Sequence, residues 1–244
     1  MDLSISYIYG EAWGLAKKNI IPFLIYSLIT AVIGLAVVGL VMPTDFWSTY
    51  MDVLGGDTRA AERLNQMQTF SPLQLLQYVV SAIIIVPLYN GILGVCRGTH
   101  KFDLDCVKVP AKVYLNFVVW YILYILICLL GTILFIVPGV YLGIRLWQGG
   151  FYLIEHHDAS IGEAMTQSWN MTRGRVLELL GLLLIGLVAI IALMIPAIIV
   201  LVALAFLGPI AIAVGVILVV ALAFFWEIVF YFANGMIYTT LCEE

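Results

Sequence analysis

Long unbroken runs of apolar residues, separated by short polar connections, set the pattern of this chain. Runs at 19–42, 72–95, 113–137, 139–155, 176–205 and 209–238 predict six helices. Most reach the roughly 20 residues that a helix needs to span the hydrocarbon core of a bilayer. Their apolar positions are continuous and do not alternate, which excludes half-buried strands. A bilayer interior also demands that each segment satisfy its own backbone, as a helix does. Pro138-Gly139 and Leu207-Gly208-Pro209 predict turns. The apolar stretch at 113–154 would measure about 63 Å as one helix, at about 1.5 Å per residue, far more than one crossing requires. A turn at Pro138-Gly139 with a short fourth span resolves the excess. The expected fold is all-α: a single integral membrane domain over 1–244, with six transmembrane helices as three hairpins.

Two shorter segments, 4–18 and 160–173, carry a different pattern and precede the first and fifth spans. They are copies of one another at an offset of 156 residues, without a gap. Asp2, Ser4, Ile5, Trp13, Leu15 and Lys17 align with Asp158, Ser160, Ile161, Trp169, Met171 and Arg173. Apolar or small residues recur at helical spacing, Ile8, Ala12 and Ala16 in one copy and Ala164, Ser168 and Thr172 in the other. Ser160 and Glu163 have capping-box spacing, and Gly174 can end the helix. Such amphipathic helices can lie in the membrane interface and meet lipid headgroups or a partner. Alternatively, their small residues pack against the ends of the spans. Trp13, Lys17, Glu163, Ser168, Trp169, Thr172 and Arg173 are the candidate residues of these two helices. A weaker echo pairs Asn90-Gly91 with Asn234-Gly235, so the first and last hairpins look like duplicates.

Composition agrees: 64% of residues are hydrophobic and 11% charged, where a soluble domain has about 25% charged. With six spans and both termini inside, eight of the lysines and arginines fall on the inner side and only Arg59 and Arg63 outside. That satisfies the positive-inside rule, whereas five spans would put one basic amphipathic copy outside. No cleavable signal sequence is expected, since the first nineteen residues are amphipathic and end in Lys17 and Lys18. Four scattered cysteines predict free thiols. A net charge of −4 without a basic patch gives no nucleic-acid footprint.

The candidate chemistry lies inside the spans. Arg145 sits in an apolar run, where an ionisable side chain costs roughly 2.5 kcal/mol or more and marks a functional site by default. Tyr141, Arg145, Gln148 and Tyr152 share one helix face, as do Glu227, Tyr231 and Asn234 on the last span. Both charges lie about 15 Å from the inner ends of their helices, so an Arg145–Glu227 contact across a polar seam is expected. The alternative is an Arg145 that snorkels or bonds free carbonyls. Glu155-His156-His157-Asp158 tempts a metal reading, but neighbours on a helix point about 100° apart, and His100 is the only other histidine. No catalytic motif and no cofactor or metal site is expected.

Pro138-Gly139-Val140-Tyr141-Leu142 with Arg145, followed by Glu163-Ala164, Ser168-Trp169, Thr172 and Gly174, resembles a bacterial multi-pass family. That family includes YciC-like proteins and the membrane domain of some glycerophosphodiester phosphodiesterases. The resemblance implies a six-helix bundle in a bacterial cytoplasmic membrane, here without the phosphodiesterase domain. The function expected is that of a non-enzymatic bundle that organises membrane, lipids or a protein partner, with homo-oligomerisation open. The alternative is a small-solute transporter or channel built on the Arg145 and Glu227 seam.

Overall fold

The computed structural model describes residues 3–41, 45–67, 72–205 and 208–243. Among these, every regular element is a helix. They are α1 (Ile5–Val41), α2 (Phe46–Leu54), α3 (Thr58–Met67), α4 (Pro72–Cys96), α5 (Ala111–Leu134), α6 (Ile136–Leu146), α7 (Gly149–Glu155), α8 (Ile161–Met171), α9 (Val176–Ala205) and α10 (Pro209–Cys242). A single 3-10 turn, Leu104–Val107, lies between α4 and α5. Five helices are long and apolar enough to cross a membrane, within α1, α4, α5, α9 and α10. The chain forms two compact units, Met1–Phe23 with Val86–Glu244, and Leu24–Ile85.

The smaller unit holds the later part of α1 and the first part of α4, where the Tyr26 hydroxyl donates to the Ile84 carbonyl. It also holds α2 and α3. Asp57 caps α3, its Oδ1 accepting from Arg59 N at 2.9 Å and Ala60 N at 3.3 Å. The first span's expected end at Met42, and Gln68, lie outside the described residues.

The larger unit modifies the predicted boundaries. α1 runs through both the amphipathic segment and the span, with a kink at Asn19 (φ −112°, ψ 16°), one residue past the expected junction. Asn19 Nδ2 donates to Leu15 O at 2.9 Å, holding the last amphipathic turn as the chain changes direction. The turn before the fourth span is not at Pro138-Gly139. It falls at Phe135, whose backbone is extended, and α6 starts at Ile136. Pro138 then occupies the first turn of α6, where its missing N–H is no loss. Gly139 serves contact instead: a Cβ there would stand 2.7 Å from Thr132 N on α5. The predicted fourth span is thus two shorter helices, α6 and α7, parted at Trp147-Gln148. α10 extends four residues past its predicted end, to Cys242. Its start follows Gly208, which takes φ +107°, while Leu207 is outside the described residues.

Packing is uneven along the bundle. At the end carrying Arg97, Glu155 and Cys242, here the charged end, Ile92, Phe117, Phe151, Phe232 and Tyr238 are fully buried. Tyr89 stacks on Phe151 at 4.2 Å, and Phe151 on Tyr238 at 5.5 Å. Towards the opposite end α9 presents Leu187, Val188, Ile191, Ile195 and Ile199 outward, as lipid-facing helices do. A clasp closes the charged end: Arg97 Nε pairs with Glu155 Oε1 at 2.5 Å, and Tyr238 OH donates to Glu155 Oε2 at 2.6 Å. Burial works against the Arg97 charge, but Glu155 outweighs it and the guanidinium's pKa moves up. Glu155→Gln removes the charge from both bonds and should cost about 1–3 kcal/mol, read as a lower thermal midpoint in detergent.

Candidate functional site

The amphipathic repeat is built into the core. Ile8, Ala12 and Ala16 are 0% exposed, and so are Ala164, Ser168 and Thr172. The offset of 156 carries each buried residue of one copy onto a buried residue of the other. Trp13 and Trp169 stay partly exposed at the edges, at 42% and 37%. The first copy lies against α9 and α10, with Tyr9 OH donating to Leu182 O at 2.8 Å and Trp13 edge-on to Phe225 at 4.7 Å. Lys17 Nζ stands 5.3 Å from the Trp13 ring. The second copy, α8, lies against α6 and α7.

Local chemistry explains where α8 begins and ends. Ser160 Oγ accepts from Glu163 N at 3.2 Å. The box is only half made, because Glu163 Oε1 accepts from Tyr152 OH at 3.2 Å. Gly174 takes φ +81° just past the helix, a left-handed conformation that glycine adopts without steric cost. Arg173 lies in this turn and is exposed.

Arg145 is held by α8. It is 3% exposed, and its guanidinium lies 4.0 Å above the Trp169 ring and 5.8 Å from the Tyr141 ring. Its Nη1 donates to Thr172 Oγ1 at 3.2 Å. Thr172 in turn donates to Ser168 O at 2.7 Å, so one hydroxyl links the buried cation to the helix backbone. Ser168 Oγ donates to the Arg145 carbonyl at 2.8 Å. A cation stacked on an indole and cut off from solvent gains about 2 kcal/mol or more. The arrangement therefore fastens α8 to α6 by a buried charge, with no opposing carboxylate among the described residues.

The expected Arg145–Glu227 contact is not formed: among the described residues neither takes part in an ion pair, and Glu227 is exposed on α10. The two charges were placed at similar depth, but Arg145 turns towards α8. There Trp169 stacks on its guanidinium and Thr172 accepts from Nη1, while its buried Nε has no hydrogen-bond partner among the described residues. The rest of the expected seam divides as well. Gln148 and Asn234 do line one cavity, of about 20 Å³, with Trp147 and Leu179. Asn234 Nδ2 donates to Phe230 O at 2.8 Å, while Gln148 Oε1 and Trp147 Nε1 find no partner. Tyr231 packs beside Phe23 at 6.0 Å, and Tyr152 faces Glu163 at the surface.

The duplicated Asn-Gly has a third member, Gln148-Gly149, which sequence reasoning missed. Each glycine admits a close neighbour. A Cβ would stand 2.7 Å from Phe102 at Gly91, 2.7 Å from Trp120 Nε1 at Gly149, and 3.0 Å from Cys96 Sγ at Gly235. Arg97 and Glu155 each lie seven residues past the amide of their amide–glycine pair, so the clasp joins positions with the same spacing from two of the three pairs. Searching for an amide followed by glycine near the end of each return helix would have exposed the pattern. Asn90 Nδ2, within α4, donates to Cys106 O in the connection that follows, at 3.0 Å. Burial pushes the Cys106 thiol up, which keeps it protonated and unreactive at neutral pH.

These features define an all-helical, membrane-embedded protein with two amphipathic segments docked against its long helices. Compared with protein-family models, curated proteins and solved structures, the chain has no match.

Proposed function

We propose that this is a non-enzymatic integral membrane protein acting at the inner face of a bacterial cytoplasmic membrane, where it organises lipid or assists a partner. The observation that carries the reading is the burial of Arg145 beneath Trp169. A transport seam needs that charge beside a wet passage, and here it serves to dock a helix. What α8 leaves outward is mostly polar: Glu163, Thr166 and Asn170 are exposed beside the edge of Trp169, with Arg173 at its end. Such a face suits phospholipid headgroups or an acidic-and-amide-rich protein surface. Both termini on the inner side accord with the eight inner basic residues and require an even number of crossings. Six crossings follow if all three hairpins reach the far face. The resemblance to YciC-like proteins supports the same membrane and bundle.

Reconstitution tests the reading. Vesicles containing the protein should release small ions and fluorescent solutes no faster than empty ones. Anionic phospholipid retained through purification should fall at least twofold when Lys17, Lys18, Arg173 and Arg175 are all changed to Gln. Solute flux that disappears in Arg145→Ala would favour the transporter instead.

A further inference from the structure

The α5–α6 hairpin is too short for the bundle it belongs to. Its two arms close on each other from end to end. Lys112 Nζ meets Asp158 Oδ1 at 3.3 Å and Asn116 Nδ2 donates to Ala159 O at 3.2 Å near the charged end. Gly131 and Gly139 touch near the tip, where a Cβ on Gly131 would stand 2.9 Å from the Gly139 Cα. The cavity at Gln148 puts that residue level with Leu183 of α9 and Asn234 of α10. From this level α6 runs back only to Ile136, about 18 Å at 1.5 Å per residue. On the same scale α9 continues to Ala205, about 33 Å, and α10 begins at Pro209, about 38 Å away. The Phe135 tip therefore stops about 15–20 Å short of the α9–α10 turn, a gap too large for helix tilt to close.

Charge spacing agrees with this. Residues 179–226, covering the α9–α10 hairpin, hold no charged side chain over 48 positions, enough for two full crossings. Residues 113–144 offer 32, and Arg145 arrives ten residues after Phe135 at the tip. At the tip Ile133, Leu134, Phe135, Ile136 and Val137 are 71–77% exposed, with no polar residue among them. Five bare apolar side chains are at home among acyl chains and not at an aqueous surface.

We propose that α5–α6 is a re-entrant hairpin. It enters from the inner face, ends within the bilayer and presents residues 133–137 to the acyl chains of the inner leaflet. The chain then crosses four times, through α1, α4, α9 and α10, and both termini still lie inside. This rests on the orientation set by the basic residues, and Arg145 falls near the level of the inner headgroups, where a docked amphipathic helix can reach it.

Single cysteines in a full-length background with Cys96, Cys106, Cys128 and Cys242 changed to Ala decide the matter. In sealed vesicles, Arg59→Cys and Lys108→Cys should react with a membrane-impermeant maleimide from opposite sides. Ile136→Cys should react from neither, at least tenfold less than both markers. A nitroxide on Ile136→Cys should be relaxed by oxygen and not by a water-soluble nickel chelate. Reaction of Ile136→Cys from the Arg59 side, at the extent of that marker, overturns the proposal, as does relaxation by nickel. Markers reacting from opposite sides but exchanged would overturn the orientation alone, and the nitroxide would still fix the depth of the tip. Markers reacting from one side would remove the crossing by α4 and overturn the four-crossing proposal.

Discussion

Replacing Arg145 with Ala should destabilise the protein by about 3 kcal/mol, combining the loss of a desolvated cation–π contact with that of a charged hydrogen bond. Thr172 then loses the donor that its oxygen accepts, and the Trp169 ring loses the surface it covers. Arg145→Lys keeps the charge but cannot stack a planar group on the indole, so about half the loss should remain. Glu227→Gln, altering an exposed carboxylate, should stay within about 0.5 kcal/mol of the parent. The informative variant is the exchange, Arg145→Glu with Glu227→Arg. It should be no more stable than Arg145→Glu alone, because the two residues do not touch. Thermal unfolding in detergent, followed by tryptophan fluorescence, measures all five. Recovery of the parental midpoint in the exchange would restore the carboxylate as the partner of Arg145.

The helices were legible because their signals are local. Apolar run length located α9 and most of α4 and α5, and the change from amphipathic to uniformly apolar pattern located the kink at Asn19. The cap at Ser160 and the stop at Gly174 followed from single residues with one structural use each. Turn position failed where two residues carried two meanings. Pro138-Gly139 reads as a turn, yet proline is equally at home in a first helical turn, and glycine permits the close approach of α5. The partner of Arg145 failed for a different reason. Opposite charges at matched depth suggest a pair, but neutral groups can hold a guanidinium when an aromatic face and a hydroxyl converge on it. That convergence depends on how α8 docks, which no spacing within α6 or α10 encodes. Hairpin reach was in the sequence all the same, in the unequal charge-free lengths of 113–144 and 179–226.

Ser168→Leu should undock α8. Ser168 has no exposed surface, and its hydroxyl bonds the Arg145 carbonyl at 2.8 Å. A leucine there adds bulk where helix backbones meet and leaves that carbonyl without the bond. Overpacking costs about 1–3 kcal/mol and the lost hydrogen bond about 1 kcal/mol. Ser168→Ala, which adds no bulk, should lose only the second. The repeat makes a parallel expectation for the other copy: Ala12, aligned with Ser168 and equally buried, should tolerate Leu no better. The two undocked helices would still differ in what they uncover. Ser168→Leu exposes Arg145, and trypsin should then cut at Arg173 and Arg175 at least several-fold faster. Ala12→Leu frees Lys17 and Lys18 for cleavage and leaves the Arg173 site protected. A Ser168→Leu protein as resistant to trypsin as its parent would mean that α8 is held by contacts other than its small-residue face. The repeat would then owe its spacing to the membrane surface and not to the core.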